Sequence, residues 1–141
     1  MTIEIKITKK SKDVLISLSD QLRLHKRGLE NALYEIGQDV VDETRKLIIN
    51  GPKTGRMYGR HQASAPGEAP ANKTGKLAKS GDYKVRNWQE MIVGETAFYA
   101  KFLEDGTRKM KPRPHLIKAV RNMARNAQLA ILENVKAEIN K

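Results

Sequence analysis

The chain has 141 residues, a length typical of one domain with a modest hydrophobic core. Lysine and arginine number 27 against 16 aspartate and glutamate residues, a formal net charge of +11, and 39% of the residues are hydrophobic. No cysteine is present for disulfide or thiolate chemistry, and no apolar run approaches the roughly 18–20 residues of a membrane span. We therefore expect a soluble intracellular protein that does not act at a membrane.

The positive charge is concentrated in two segments. Residues 51–88 carry eight lysine and arginine side chains against two carboxylates, and residues 101–125 carry the same numbers. Each segment therefore has a net charge of +6, whereas the rest of the chain has a net charge of −1. Such segments form either a solubilising surface or a face that meets a polyanion, which would be nucleic acid or an acidic protein.

The first third of the chain predicts a strand and then a long helix. Isoleucines alternate with polar residues over 3–7, which is the period of a half-buried strand. From about residue 20 the period becomes helical, with Ser19 as N-cap, a separate turn at 15–18 before it and Gly51 as the stop. Gly37 is predicted to allow a close helix crossing. The apolar face of this helix comprises Leu22, Leu29, Ala32, Leu33, Ile36, Val40, Thr44, Leu47 and Ile48.

Residues 51–73 are rich in glycine, proline, alanine and serine and show neither helical nor strand periodicity. A structureless segment of this length is unusual inside a compact domain. Because the segment is also cationic, we predict a flexible basic loop or arm that orders on a partner. Thr74 then caps a single helical turn within residues 74–81.

The remaining elements are a hairpin, a short helix and a second long helix. Residues 82–95 predict the hairpin, with its turn at 87–90. Residues 96–106 predict a short helix that ends at its last residue, a glycine, and has Phe98, Phe102 and Tyr99 facing the core. The last helix has Pro114 in its first turn and an apolar stripe of Leu116, Val120, Met123, Ala127, Ala130, Ile131, Val135 and Ile139.

These elements predict one α+β domain over residues 1–141, in which two long helices pack on a small antiparallel sheet and carry the long basic loop.

The stretch 99–116, YAKFLEDGTRKMKPRPHL, is crowded with charge and raises the question of a catalytic site. Glu104 and Asp105 are adjacent, so on a helix their side chains point about 100° apart. Nearby cations would also lower the pKa of both carboxyl groups, the wrong direction for a general acid.

Other enzyme signals are weak. His25, His61 and His115 lie far apart without metal-ligand spacing, and we expect each to be exposed or to present a polar tip. Ser64 and Ser80 lack the context of a nucleophile elbow. Gly75-Lys76 is followed by Leu77 and preceded by no strand, so it is not a phosphate-binding loop. Glu4 and Lys6 have the spacing of a nuclease Glu-x-Lys motif, but no aspartate lies on a suitable strand before them. We therefore expect no catalytic residue, no cofactor and no metal site.

The basic segments match no nucleic-acid-binding motif. The segment 51–73 contains a single aromatic residue, Tyr58, and the chain shows no helix-turn-helix, zinc-finger or ribonucleoprotein motif. Sequence-specific recognition of nucleic acid is therefore not expected. Nonspecific contact with DNA phosphates remains an alternative role for the positive charge.

Two stretches, GRHQASAPGEAPANKTGKL (59–77) and YAKFLEDGTRKMKPRPHLIKAV (99–120), closely resemble the tail-component family of tailed bacteriophages and prophages, whose members are called head–tail joining, neck or tail-completion proteins. The sequence departs from the family pattern at Lys73, where aspartate is frequent, and at Asp105, where phenylalanine or histidine is common. The resemblance covers the chain from the first long helix onward. The matching residues are Thr74, Gly75, Leu77, Tyr99, Ala100, Phe102, Glu104, Gly106, Thr107, Arg113, Pro114 and Leu116.

The resemblance implies a non-enzymatic α+β subunit that assembles as a ring between the capsid connector and the tail. Its partners would be further copies of itself and the phage connector and tail proteins, and its location would be the virion and, during assembly, the bacterial host cytoplasm. The alternative is a phage-derived accessory protein that binds DNA nonspecifically. The candidate subunit or partner contacts are the cations Arg56, Arg60, Lys73, Lys76, Arg108, Lys109, Lys111 and Arg113.

The distribution of charge along the chain leads to a hypothesis about the contact between ring subunits. A ring arises when one patch meets a different patch on the next copy. The cationic loop is one such patch, and the acidic side of the first helix is the other, with Glu30, Glu35, Asp39, Asp42 and Glu43. The stretch 99–116 is interpreted as a structural corner, in which Glu104 or Asp105 pairs with Arg108 or Arg113 and Gly106 adopts a left-handed turn.

Overall fold

The computed structural model describes the backbone of residues 9–141 and the side chains of residues 19–141. It confirms the α+β prediction, with long helices packed on a small antiparallel sheet. The predicted strand at residues 3–7 lies outside the described residues. In chain order the elements are α1 (Lys9–Asn50), β1 (Met57–Tyr58), β2 (His61–Gln62), β3 (Gly81–Asn87), β4 (Glu90–Glu95), α2 (Ala100–Asp105) and α3 (Leu116–Ile139).

Helices α1 and α3 form an antiparallel pair. The amides of Asn134 and Asn122 donate hydrogen bonds to Glu35 (2.7 Å) and Glu43 (3.0 Å), so ascending positions on α1 meet descending positions on α3. Small side chains at the contact bring the two backbones close together. The buried residues of this first core cluster are Ala32, Ile36, Val40, Ala119 and Ala130.

The β3–β4 hairpin covers α1 on another side. Tyr83 pairs with Val93 across the antiparallel ladder, and Met91 and Val93 pack against the first core cluster. At the tip of the hairpin, the Lys26 ammonium lies 5.3 Å from the centre of the Trp88 ring, a cation–π contact between α1 and the turn. Strands β1 and β2 form a separate two-stranded sheet that the sequence analysis did not predict.

A second core cluster lies at the C-terminal end of α1. Ile48 is fully buried there against Leu77, Ala78 and Ala100, with Tyr99 packed at its edge. Helix α1 therefore contributes to both clusters, and it connects the helix pair to the part of the chain that carries residues 74–105.

Helix α1 departs from the sequence prediction at its first half and agrees at its end. It is continuous through residues 15–18, so the separate turn is wrong and Ser19 lies within the helix instead of capping it. Leu22 was assigned to the apolar face but is 54% exposed. The predicted stop is confirmed, because the helix ends at Asn50 and the N–H of Gly51 donates to the Leu47 carbonyl.

The two glycines inside α1 permit two different close contacts. A Cβ built on Gly28 would lie 2.6 Å from the Cα of Val135 in α3, so Gly28 is the residue that allows the close helix crossing. A Cβ on Gly37 would lie 2.3 Å from the Tyr83 ring, so Gly37 makes room for a strand residue and its predicted role in a helix crossing is wrong.

Helix α2 begins at Ala100, later than the predicted residue 96, and the two phenylalanines predicted to face the core are exposed. Phe98 is 86% exposed and Phe102 is 53% exposed, whereas Ala100 is buried and Leu103 and Tyr99 pack on the second core cluster. A helix of six residues is less than two turns long, so sequence periodicity identifies its inner face poorly.

Helix α3 begins later than predicted, and most of its predicted stripe is confirmed. Its residues in or against the first core cluster are Leu116, Met123, Ala127, Ala130 and Ile131. Its first residue is Leu116 with His115 at the N-cap, so Pro114 precedes the cap instead of lying in the first turn. Val120 and Ile139 are exposed, and Ala119 takes the buried position beside α1.

The basic segment 51–73, predicted to be a flexible arm, is tied to the body of the protein by hydrogen bonds. The N–H of Gly67 donates to the Pro112 carbonyl (3.0 Å), and the Lys118 ammonium donates to the Gly67 carbonyl. The Arg113 guanidinium donates to the Ser64 carbonyl at 3.1 and 3.3 Å. The structure thus brings the two cationic segments of the sequence together.

Glu68 is the residue that closes this loop on itself. Its carboxylate accepts hydrogen bonds from the hydroxyl and the N–H of Thr54 and from the N–H of Ala65. The hydroxyl bond, followed by the two N–H bonds, lowers the pKa of Glu68 to about 2 from 4.5. The ionised carboxylate therefore stabilises the folded loop.

We expect Glu68→Gln to lower the melting temperature at neutral pH, because the loop loses an anionic acceptor. A pKa lowered by folding contributes stability that is complete above the unfolded pKa near 4.5 and is lost as the pH falls towards about 2. The difference in melting temperature between wild type and Glu68→Gln should therefore shrink as the pH falls from about 4.5 to about 2. Thermal melts across the interval measure it, and Glu133→Gln, at an exposed glutamate, is the matched control.

Candidate functional site

The charged stretch 99–116 folds as a corner between α2 and α3. Gly106 ends α2 with φ of 77°, a value that favours glycine and confirms the predicted positive-φ turn. The N–H of Thr107 then donates to the Met110 carbonyl (2.7 Å), and the N–H of Arg113 donates back to the Leu103 carbonyl (2.7 Å). These bonds reverse the chain and direct it into α3.

Glu104 caps the N-terminus of α3. Its Oε2 accepts from the N–H groups of His115 (2.9 Å) and Leu116 (3.0 Å), and its Oε1 accepts from the N–H of Ile117 (3.0 Å). The first N–H groups of a helix have no partner within it, and a negative charge there is favourable. Burial raises the pKa of Glu104, but the three N–H bonds and the charge of His115 outweigh it, so the pKa is lowered.

The predicted pairing of Glu104 with Arg108 or Arg113 is therefore wrong. The carboxylate of Glu104 accepts hydrogen bonds from the N–H groups at the start of α3, and Arg113 donates to the Ser64 carbonyl. Asp105 is exposed beside them. The donors that reach Glu104 are backbone N–H groups at a helix end, which side-chain charges in the sequence do not reveal.

His115 is fully buried, which corrects the expectation of an exposed histidine. Its Nε2 lies 2.7 Å from Oε2 of Glu95, and its Nδ1 lies 3.0 Å from the Arg113 carbonyl and 3.0 Å from Oε2 of Glu104. Because each ring nitrogen faces acceptors only, both must donate, and the imidazolium form fits this site. His61 is half-buried, and His25 is exposed beside the Gln21 carbonyl.

The pKa directions agree with this geometry. Burial lowers the pKa of His115, but the hydrogen bond to Glu95, the Arg113 carbonyl and the charges of Glu95 and Glu104 outweigh it, so the pKa is raised. Glu95 keeps one buried oxygen, Oε1, without a hydrogen-bond partner among the described residues. The group is an imidazolium held between two carboxylates, which joins β4, α2 and α3.

A cleft of about 450 Å³ lies beside this corner. Its basic side chains are His61, Lys73 and Arg113, and its apolar wall includes Leu77 and Tyr99; we call it the cationic cleft. The residues that line it include no aspartate or glutamate. Such a cleft suits a group that combines negative charge with an apolar body.

The predicted contact residues fall into three places. Lys73 and Arg113 meet in the cationic cleft, although they lie far apart in the sequence. Arg56 and Arg60 are exposed at the β1–β2 hairpin, where the Arg56 guanidinium lies 5.6 Å from the Tyr58 ring centre. The other four cations are exposed on the turns around the cleft and the corner, namely Lys76, Arg108, Lys109 and Lys111.

The residues that carry the family resemblance have local structural roles. The N–H of Lys76 lies 3.5 Å from the Thr74 hydroxyl, Gly75 has φ of 77°, and the N–H of Lys79 donates to the Gly75 carbonyl, so the predicted turn is present. Leu77 is buried in the second core cluster. Tyr99 precedes α2, Thr107 accepts the N–H groups of the corner turn, and Pro114 precedes the cap of α3.

Sequence reasoning missed His61 and Glu95 as members of these sites. Neither residue has a spacing relative to its partners that a motif would reveal, because the contacts join β2, β4 and α3 only after folding. Within the described residues, no group of histidine, aspartate and glutamate is placed to hold a metal ion, and no described helix combines the length and apolar character that spanning a bilayer requires. No protein-family model, curated protein or solved structure matches the chain.

Proposed function

We propose that this protein is a structural subunit of the head–tail interface of a tailed bacteriophage or prophage, acting in neck assembly or tail completion as a member of a ring. In this role it is not an enzyme. Its partners are further copies of itself and the connector and tail proteins, and it resides in the virion after assembly in the host cytoplasm.

One observation carries the proposal. The two segments with the family resemblance, 59–77 and 99–120, are separate in the sequence but meet in the fold, where Leu77 and Tyr99 pack on the same core cluster and Glu104 caps α3. The residues that carry the resemblance therefore lie in one connected region of the fold. This supports a relationship with the phage proteins over the whole corner.

Deleting the gene from the phage or prophage that encodes it tests the proposal. We expect filled heads and complete tails that fail to join, visible by negative-stain electron microscopy, and restoration of joined particles by the wild-type gene supplied in trans. The purified particles should contain the protein at a low, fixed copy number. Normal joined particles without the protein would show that the proposal is wrong.

A second function, nonspecific DNA binding, is favoured by a different observation. The hydrogen bonds between Gly67 and Pro112 and between Arg113 and Ser64 join the two cationic segments into one surface. If that surface binds DNA, the affinity for short duplex DNA should fall steeply with salt, with a logarithmic slope of about −0.9 per phosphate contacted. The structural role predicts little binding to DNA at physiological salt.

A further inference from the structure

We infer that the cationic cleft of one copy binds the acidic side of helix α1 of a second copy. The acidic stripe is defined here as Glu35, Asp39, Asp42 and Glu43. The inference rests on the proposed function and names the surfaces through which its subunits would meet.

The chemistry of the cleft restricts its occupant. A second cavity of about 490 Å³ borders the cationic cleft at Tyr99 and is lined by Lys76, Lys79 and Phe98, again without a carboxylate. Phe98, 86% exposed, stands at this border with its ring edge-on to Tyr99 at 5.3 Å between ring centres. Cations beside exposed aromatic and aliphatic surface suit an acidic polypeptide with apolar side chains better than duplex DNA, because a duplex presents its phosphates outward and keeps its bases stacked inside.

The same chain carries a surface of complementary chemistry. Residues 30–43 contain five carboxylates and no lysine or arginine. Glu35, Asp39 and Asp42 are spaced by four and three residues, so they share one face of α1, and Tyr34, 50% exposed, lies beside them. The stripe therefore offers negative charge to the cations of the cleft and an exposed aromatic ring to its apolar wall.

Most carboxylates of the stripe have no cationic partner among the described residues. Glu35 and Glu43 accept hydrogen bonds from the neutral amides of Asn134 and Asn122. Across the described part of the chain, the single ion pair of the stripe is that of Asp42 with Arg45, at 3.3 Å and largely exposed. Exposed pairs of this kind contribute little and are readily exchanged for a better partner.

The positions of the two surfaces favour a head-to-tail contact. The cleft lies near Ile48, where α1 meets Leu77. The acidic stripe runs along the same helix from Glu43 to Glu35, which lie 5 and 13 residues before Ile48, or about 8 to 20 Å along the axis. A contact between two different and separated patches is heterologous, and repeating it produces a ring if the rotation closes. The cleft thus accounts for both neighbours of each subunit with one kind of contact.

Reciprocal charge reversal tests the inference. The cleft variant is Lys73→Glu with Lys76→Glu, and the helix variant is Glu35→Lys with Asp42→Lys. All four side chains are polar, and those of Lys73, Lys76 and Glu35 are exposed, so folding should be retained and is checked by circular dichroism. The control matched to the cleft variant for net charge is Lys84→Glu with Lys136→Glu, at exposed positions that neither line the two cavities nor belong to the acidic stripe.

Sedimentation velocity over a range of concentrations provides the readout. We expect wild type to self-associate, and each variant alone to associate about tenfold more weakly or worse, because like charges then face each other. Mixing the two variants should restore association, since the acidic cleft of one meets the basic helix of the other. The control should associate as wild type does, and added salt should weaken all these contacts.

Three results would overturn the inference: a wild type that stays monomeric at every concentration, a mixture that fails to restore association, or a control that loses it equally. If the cleft variant loses only binding to duplex DNA, the occupant is nucleic acid and the contact between copies is also excluded. None of these results bears on whether the gene deletion leaves heads and tails unjoined, so failure of the inference is distinguishable from failure of the proposed function.

Discussion

His115→Leu should destabilise the protein by about 3–5 kcal/mol, measured as the free energy of unfolding in urea slightly below neutral pH. The substitution removes a fully buried imidazolium and leaves the carboxylate of Glu95, 4% exposed, without the donor at 2.7 Å. The second oxygen of Glu95 already has no partner among the described residues. An uncompensated buried charge is among the most destabilising changes that a single substitution makes.

A double variant separates the charge effect from lost packing. Glu95→Met with His115→Leu removes both members of the pair and should recover most of the lost stability, because apolar replacements of a buried pair are often neutral. The backbone N–H groups capped by Glu104 are unchanged in both variants. Equal destabilisation of the single and double variants would mean that shape, and not charge, makes His115 important.

The pH dependence of the His115→Leu effect follows from the raised pKa of His115. A pKa raised by folding contributes stability that is complete below the unfolded value of 6.5 and is lost as the pH rises through the folded value. Wild type should therefore lose its advantage over His115→Leu as the pH increases above about 6.5. A constant difference in unfolding free energy over that range would contradict the imidazolium assignment.

Gly28→Ala should destabilise the protein although alanine is the better helix former. In an isolated helix the change would stabilise by about 1 kcal/mol. Here the added Cβ would lie 2.6 Å from the Cα of Val135 and 3.0 Å from the Asn134 carbonyl oxygen, and both atoms belong to the backbone. The two helices would have to separate, and overpacking of this kind costs about 1–3 kcal/mol.

Gly94→Ala in β4 is the control for Gly28→Ala. A Cβ at Gly94 meets no atom within 4 Å, so this variant should stay within about 0.5 kcal/mol of wild type in urea unfolding. An increase in stability for Gly28→Ala would show that α1 and α3 do not approach as closely as the structure has them.

Local rules of the sequence predicted the features that depend on near neighbours. The helical period of α1 placed Ala32, Ile36 and Val40 on its buried face, because a long amphipathic helix presents the same face to the core over many turns. The end of that helix at Gly51 and the positive φ of Gly106 are likewise set by single residues. The hairpin of β3 and β4 follows from alternation over a few residues.

The features that the sequence did not predict depend on residues distant in the chain. Phe98 precedes α2 and Phe102 lies within it, and both are exposed. The positions against the second core cluster are taken by Tyr99, Ala100 and Leu103. A helix of six residues has too few turns for its sequence to identify that inner face. The segment 51–73 has no period, and its order comes from bonds to Pro112 and Arg113. The composition of segment 51–73 therefore suggested flexibility, whereas its hydrogen bonds to residues 112 and 113 attach it to the rest of the domain.

By itself, the sequence determined the class of the fold, the long helices and the separation of charge into two cationic segments and one acidic stretch. Only the tertiary structure decided which of these charges meet: His115 with Glu95 and Glu104, and Lys73 with Arg113 in an acid-free cleft. The physical reason is that periodicity and turn preferences act over a few residues. Electrostatic and hydrogen-bond partners are chosen by distance in space, which the packing of α1, α3 and the hairpin establishes.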